Sequence, residues 1–348
     1  LIRLKAELFS DLNGTVEGLR RALQNAIELE HATIPTYLYA LYSIKPLANP
    51  EIARLIKSIV LEEMLHMSLD CNILNAVGGT PRIDDPCFIP KYPGPLPGGV
   101  ESDLIVPLAP LSKQLVKDVF MVIEEPEDPQ HYPVLKAAMG EPAKQETIGQ
   151  FYAGIADQIR ELSKQGNIFT GNPDKQLKAG FRPLQKIDVH DTDSALAAID
   201  LIVEQGEGTK VSPLDPEHEL AHYYKYSEIY YGKKLIPNPH HGPGEPDYAY
   251  GGHRIHFDPA GVWPTITNPN RTSYDPGSRA FQLNEDFNGS YTALLKSLQA
   301  VFSGQPDRLG PAITLMEAMK EQALTLMSTE VVPGQTAGPT FDYTPGKH

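Results

Sequence analysis

At 348 residues, with 41% apolar and 21% charged side chains, the chain is long enough to bury a sizeable core and has the composition of a globular protein. It has no apolar stretch of about 18 residues to span a bilayer, and its formal charge of -14 argues against a nucleic-acid partner, because binding a polyanion depends on clusters of Lys and Arg. Cys71 and Cys87 make neither a disulfide framework nor a zinc site, which suits a reducing cytoplasm; Leu at position 1 leaves room for a lost leader or tag, and no signal-peptide pattern follows it.

In chain order, Thr15 is the expected N-cap of a helix to about Ser43, with Leu23, Ile27, Ile34, Leu38 and Leu41 at helical spacing and Pro35 inside it, which should kink it. Asn49-Pro50 reads as a cap with proline at the first helical position. It opens a second helix with the stripe Ile56, Ile59, Ile73, Val77 that ends at Gly78-Gly79, and the two should form a hairpin. Residues 80–107 are crowded with Pro and Gly and read as irregular. Helices follow at about Leu111–Glu124 and Thr147–Ser163, the latter a packing helix with no acid in its stripe. Asp193-Ser194 opens a helix to Gln205–Gly208, and Asp215-Pro216 caps another to Gly232. Residues 233–285 read as irregular with a few short strands, then come helices at about 287–303 and 308–328 and an exposed tail of about twenty residues. The division expected is 1–235 for a metal-binding bundle with insertions and 236–348 for an irregular segment with two helices packing on it.

Glu-x-x-His on a helix sets a carboxylate and an imidazole on one face, a turn apart. Glu63-Met-Leu-His66 and Glu219-Leu-Ala-His222 both have this spacing, but so does Glu28-Leu-Glu-His31, and roughly one match is expected by chance. Position within the stripe is stronger evidence. Glu63 and His66 fall at the centre of an apolar face that must be buried, where an unpaired carboxylate costs several kcal/mol unless a metal or partner offsets it. Glu30 interrupts the stripe of the first helix in the same way, and Leu196, Ile199, Val203 continues by one step to Glu207. Glu207 is equally readable as a helix-terminal residue in a Gly-rich turn. Glu30, Glu63, His66, Glu207, Glu219 and His222 together have the composition of a di-iron or di-manganese carboxylate centre in a four-helix bundle. Asp70, one turn beyond His66, is the expected acceptor for its ring. Tyr37 and Tyr226 are the candidates for a redox role, although aromatic stripes at this spacing are usually core. His240, His241, His253 and His256 match no ligand spacing.

Several words of the chain resemble the ferritin-like domain family associated with iminophenyl-pyruvate dimer synthases, the imino-acid dimerising enzymes of violacein- and rebeccamycin-type pathways. They are Leu29-Glu-His-Ala-Thr-Ile-Pro-Thr-Tyr-Leu38, Glu62-Glu-Met-Leu-His-Met67, Asn72-Ile-Leu-Asn-Ala-Val-Gly-Gly79, Tyr92-Pro-Gly-Pro-Leu-Pro97, Ile202-Val-Glu-Gln-Gly-Glu-Gly208 and Glu219-Leu-Ala-His-Tyr-Tyr224. The resemblance implies an all-α, ferritin-like four-helix bundle with additional helices and long Pro/Gly-rich insertions. It departs at Ile148-Gly-Gln-Phe-Tyr152, where the family often has Glu in place of Gln150, which leaves open whether Gln150 or Glu207 marks the site position on that side of the bundle.

The expected function is an O2-dependent oxidoreductase with two Fe per chain, acting on a small amino-acid-, amine- or imine-derived metabolite. Mn and haem stay open as cofactors, and a pathway partner enzyme and a homodimer stay open as partners. Competing readings are a non-catalytic iron-binding protein and a metal-free scaffold.

Overall fold

The computed structural model describes residues 9–97, 104–126, 132, 148–178, 187–209, 212–215, 217–239 and 246–346. Two long helices, α1 (Val16–Tyr42) and α2 (Pro50–Ala76), form its axis. Thr15 caps α1 as its sequence requires, its hydroxyl accepting from Gly18 N–H at 3.0 Å. The pair is antiparallel: Arg20 reaches Val77 O at 2.8 Å near one end, and the Thr33 hydroxyl reaches Glu63 Oε2 at 2.7 Å further along. Asn49 has φ +42° and makes no side-chain cap to α2; its amide instead holds residue 258, accepting from Asp258 N–H at 2.7 Å and donating to Asp258 O at 2.9 Å.

The next segment is a composite helix, α3, made of an α-turn (Lys113–Leu115), a π-helical stretch (Val116–Phe120) and a second α-turn (Met121–Ile123). A π turn holds one residue more than an α turn, so the faces beyond it are rotated by about 100°. After it come α4 (Ile148–Gln165), α5 (Thr192–Glu207) and the short α6 (His222–Tyr231). Asp191, rather than Asp193, caps α5, in a capping box with Ser194. An antiparallel hairpin of β1 (Lys233–Pro237) and β2 (Tyr248–Arg254) follows, then α7 (Arg279–Phe302), α8 (Leu309–Met327) and a small hairpin of β3 (Glu330–Val332) and β4 (Gln335–Thr336). One apolar core runs from Leu23 and Ile27 of α1 to Phe287 of α7 and Met319 of α8. No helix among the described residues is long and apolar enough to cross a membrane.

The C-terminal segment is docked rather than exposed. Asn284 and Asn288 on α7 accept from the backbone N–H of Thr340 and Asp342 at 3.0 Å each, and Phe341 is buried with its ring edge-on to Phe287. Two buried amides thus satisfy a chain that lacks secondary structure there.

Asn72 performs the same service inside the bundle. It is fully buried, donates to Leu177 O at 2.8 Å and Ile187 O at 2.7 Å, and accepts from Leu177 N–H at 2.9 Å. Asn72→Ala would strand three backbone groups, and is expected to cost about 3 kcal/mol or more in urea denaturation. A loss below about 1 kcal/mol would show that water replaces the amide.

The Glu228 carboxylate is likewise fully buried, accepting from Lys234 Nζ at 2.6 Å and Leu235 N–H at 2.8 Å. Burial raises its pKa above 4.5 although both donors oppose the rise. Such a group contributes stability below its unfolded-state value and loses it as pH rises through the folded-state value. Glu228→Gln should therefore gain stability relative to the parent as pH rises above about 4.5, by at most about 1.4 kcal/mol per pH unit. Parallel stability profiles for the two proteins would refute this.

Candidate metal centre

Four elements turn ionisable side chains toward one point in the bundle. Glu30 comes from α1, Glu63 and His66 from α2, Glu124 from the residue that closes α3, and His222 from the first position of α6. They form two groups, Glu30/Glu63/His66 and Glu63/Glu124/His222, in each of which one ligand atom per residue lies within 4.8 Å of the others. Glu63 belongs to both. His66 Nδ1 is 3.4 Å from Glu30 Oε2 and 3.8 Å from Glu63 Oε1, while His222 Nδ1 is 2.8 Å from Glu63 Oε1 and 3.3 Å from Glu124 Oε2. The two rings stack at 5.4 Å.

Each imidazole presents Nδ1 to the carboxylates and is held at Nε2 from behind, but by different partners. His66 Nε2 meets the neutral amide oxygen of Gln205 at 3.0 Å; His222 Nε2 meets Glu62 Oε2 at 3.0 Å, and Glu62 in turn accepts from Lys225. Asp70, expected behind His66, instead shares the Tyr152 hydroxyl with Glu30, at 2.7 Å and 2.6 Å. The packing helix α4 thus adds a polar group to the site through Tyr152.

The charges are far from their solution balance. Burial, then the charges of Glu124 and Glu30, push the Glu63 carboxyl up to about 7. Burial followed by the Glu30 charge also holds Asp70 well above its ordinary value. Burial opposes the charged forms of Glu30, Glu62 and His222 as well, yet their hydrogen bonds and opposite charges outweigh it. Glu30 is lowered by His66, Glu62 falls to about 2 beside His222 and Lys225, and His222 rises well above its ordinary value beside Glu124, Glu62 and Glu63. Three carboxylates and two imidazoles, all buried, offer oxygen and nitrogen donors that could hold a metal.

The structure therefore brings together Glu30, Glu63, His66 and His222 of the residues expected from sequence, and leaves Glu219 and Glu207 outside the cluster. Glu219 is exposed and precedes α6. Its N–H donates to Asp215 Oδ1 and its carbonyl accepts from Asp215 N–H, both at 2.9 Å, so Asp215 closes a turn there instead of starting a helix. Glu207 ends α5, and its Oε1 accepts from Gly149 N–H at 2.8 Å in the first turn of α4, where the helix dipole favours an anion. Gln150, one residue on, is half-buried. The carboxylate that sequence reasoning missed is Glu124. Its signal was its place one helical step beyond Phe120, hidden as the end of a helix with no second acid in its stripe. Tyr37 donates to Glu124 Oε1, and Tyr226 lies buried with its ring 5.3 Å from that of Tyr37. His253 and His256 are exposed, while His240 and His241 lie outside the described residues. A cavity of about 40 Å³ adjoins the cluster, walled by Ile123, Ile148, Ile202 and Val203 and edged by Glu125 and Glu207.

Comparison with known proteins bears on the fold that carries this cluster. A ferritin-like family model matches residues 23–231. Dichlorochromopyrrolate synthase of Lentzea aerocolonigenes is 26% identical over 395 residues, taking in 94% of this chain but 36% of that protein, so the chain spans little more than a third of its relative. A solved ferritin-like protein from Caulobacter vibrioides has the same fold, with TM-score 0.59, 24% identity, and 94% of this chain and 97% of that one covered.

Proposed function

The chain belongs to the ferritin-like family, and from that premise we propose that it is an oxidoreductase that holds two metal ions, iron in the first instance and manganese in the second, and uses O2 to oxidise a small amino-acid-, amine- or imine-derived metabolite. The observation that supports this reading is the sharing of Glu63 between two three-residue groups, the arrangement a bridging carboxylate needs. That the relative is a synthase supports an enzymatic role.

Glu30 and His66 would hold one ion, Glu124 and His222 the other, with Glu63 between them. Bound there, the metals would supply the O2 activation and electron transfer that amino-acid side chains cannot. The protein's own part is positioning and proton handling. Gln205 and Glu62 fix the two rings so that Nδ1 faces inward. Ligation at His222 Nδ1 requires its proton to leave, so metal uptake is coupled to proton release. Asp70 and Tyr152 form a short proton path ending on Glu30 Oε1, and Tyr37 keeps a hydroxyl on Glu124. The apolar walls exclude water, while Glu125 and Glu207 put negative potential at the edge, which suits an ammonium or iminium group.

One observation favours a metal-free scaffold instead: the His222–Glu63 pair at 2.8 Å shows that the acids and imidazoles can satisfy one another. Elemental analysis of protein purified without chelator, with a visible spectrum after anaerobic Fe(II) loading and exposure to O2, separates the two. About two Fe or Mn per chain with an oxygen-dependent band is the expected result. Metal near zero that loading does not restore would leave the scaffold reading, and a strong band before loading would point to haem.

A further inference from the structure

Behind the carboxylate centre, α1, α2, α7 and α8 enclose a second cavity of about 50 Å³ that the function proposed above does not use. Its lining reads as the next residues along the same helices: His31 follows Glu30, Met64 follows Glu63, and Met67 follows His66, each about 100° around its helix from its neighbour. From α8 come Met316 and Met319. Met-x-x-Met therefore occurs on each of two helices that face the same space, with both members of each pair on one side of their helix. Four of the seven methionines of the chain line this cavity, and no carboxylate, Lys or Arg lines it among the described residues.

His31 is the second observation. It is buried, its Nε2 lies 2.9 Å from the Tyr291 hydroxyl, and its Nδ1 has no hydrogen-bond partner among the described residues. A buried imidazole nitrogen left unpaired is costly and calls for a ligand. Methionine is also a common filler of irregular gaps, but a filler closes the space it occupies, and here the four side chains border space that remains open, together with apolar side chains such as Leu38, Leu294 and Phe341.

Thioethers and a neutral imidazole are soft, uncharged donors. They suit a soft monovalent cation, whereas Fe(II) and Mn(II) favour the carboxylates on the other side of the helices. We propose that this cavity is a Cu(I) site that draws its donors from among Met64, Met67, Met316, Met319 and His31 Nδ1, separate from the carboxylate centre. Ligation at Nδ1 selects the tautomer in which Nε2–H donates to the Tyr291 oxygen, fixing the ring from behind. Met64 and Met316 are half-buried, whereas Met67 and Met319 are buried.

The test is an anaerobic titration of the full chain with Cu(I) against a chromophoric Cu(I) chelator, in a Cys71→Ala/Cys87→Ser background that removes competing thiols. One Cu(I) per chain is expected. Met67→Leu/Met319→Leu, which conserves volume, should weaken binding by at least about 100-fold, and His31→Leu by at least about tenfold, with near-UV circular dichroism and Fe(II) uptake unchanged. Should the double variant unfold, Met319→Leu alone must still weaken Cu(I) by at least about tenfold. No Cu(I) uptake by the reference protein, equal uptake by the methionine variants, or displacement of Cu(I) by stoichiometric Fe(II) would each overturn the site.

Discussion

Glu63→Gln is expected to empty both halves of the carboxylate centre and, at the same time, to make the metal-free protein more stable above neutral pH. Both effects come from one position. Glu63 is the residue common to the two groups, so an amide there removes the negative charge from each, and affinity should fall by about 100-fold or more at both. The amide keeps an oxygen for the Thr33 hydroxyl, which now lies 2.7 Å from Glu63 Oε2. Burial first, and then Glu124 and Glu30, raise the Glu63 carboxyl to about 7. Its favourable contribution is thus complete below the unfolded-state value of 4.5 and is lost as pH rises through about 7. The apo variant should match the apo parent at about pH 5 and exceed it by about 1–3 kcal/mol at about pH 8. Metal analysis and urea denaturation at the two pH values read both effects. Retained metal would refute the shared role of Glu63, and an apo variant less stable than the parent at high pH would refute the electrostatic account.

The second large effect separates two glutamates that the sequence and the structure rank differently. Glu124→Ala should reduce the metal content from about two ions per chain to about one, because it removes a carboxylate from the His222 half alone. Glu219→Ala should leave metal content and stability within error of the parent, as its side chain is exposed outside α6. The reverse outcome would restore a helical Glu219-x-x-His222 ligand pair and displace Glu124. Tyr37, which donates to Glu124, offers an independent readout: its fluorescence or ultraviolet Raman signature should change in Glu124→Ala and not in Glu219→Ala.

Much of the architecture was legible from local pattern. The cap at Thr15, Pro50 at the start of α2 and glycines at its end delimit the central hairpin, and Gly232 ends α6, with φ +69° in the left-handed region that glycine tolerates. Glu30, Glu63 and His66 stood out because each interrupts an apolar stripe that must be buried, a conflict visible without any neighbour in view. His222 was found for a reason that does not hold, its spacing from Glu219; it reaches the centre because α6 begins there, not because a helical turn precedes it.

What escaped the sequence depended on chain segments far apart or on a change of helical phase. Gln205 meets His66 across 139 positions, Glu62 meets His222 across 160, and Tyr152 reaches Glu30 across 122. No periodicity within one helix can announce such partners. Glu124 turns inward after a π-helical stretch that shifts the faces of α3, so an unbroken α-helical projection misplaces it. The C-terminal segment, polar and without periodicity, reads as a tail until the buried amides of Asn284 and Asn288 give its backbone partners. Helix limits, the buried stripes and the charged residues that break them are local properties of the chain, and they decide the helical bundle and half of its centre. Which acid joins the cluster, what holds each imidazole, and that four methionines and a histidine face one cavity are decided only when the helices pack, because those contacts exist between segments and not within them.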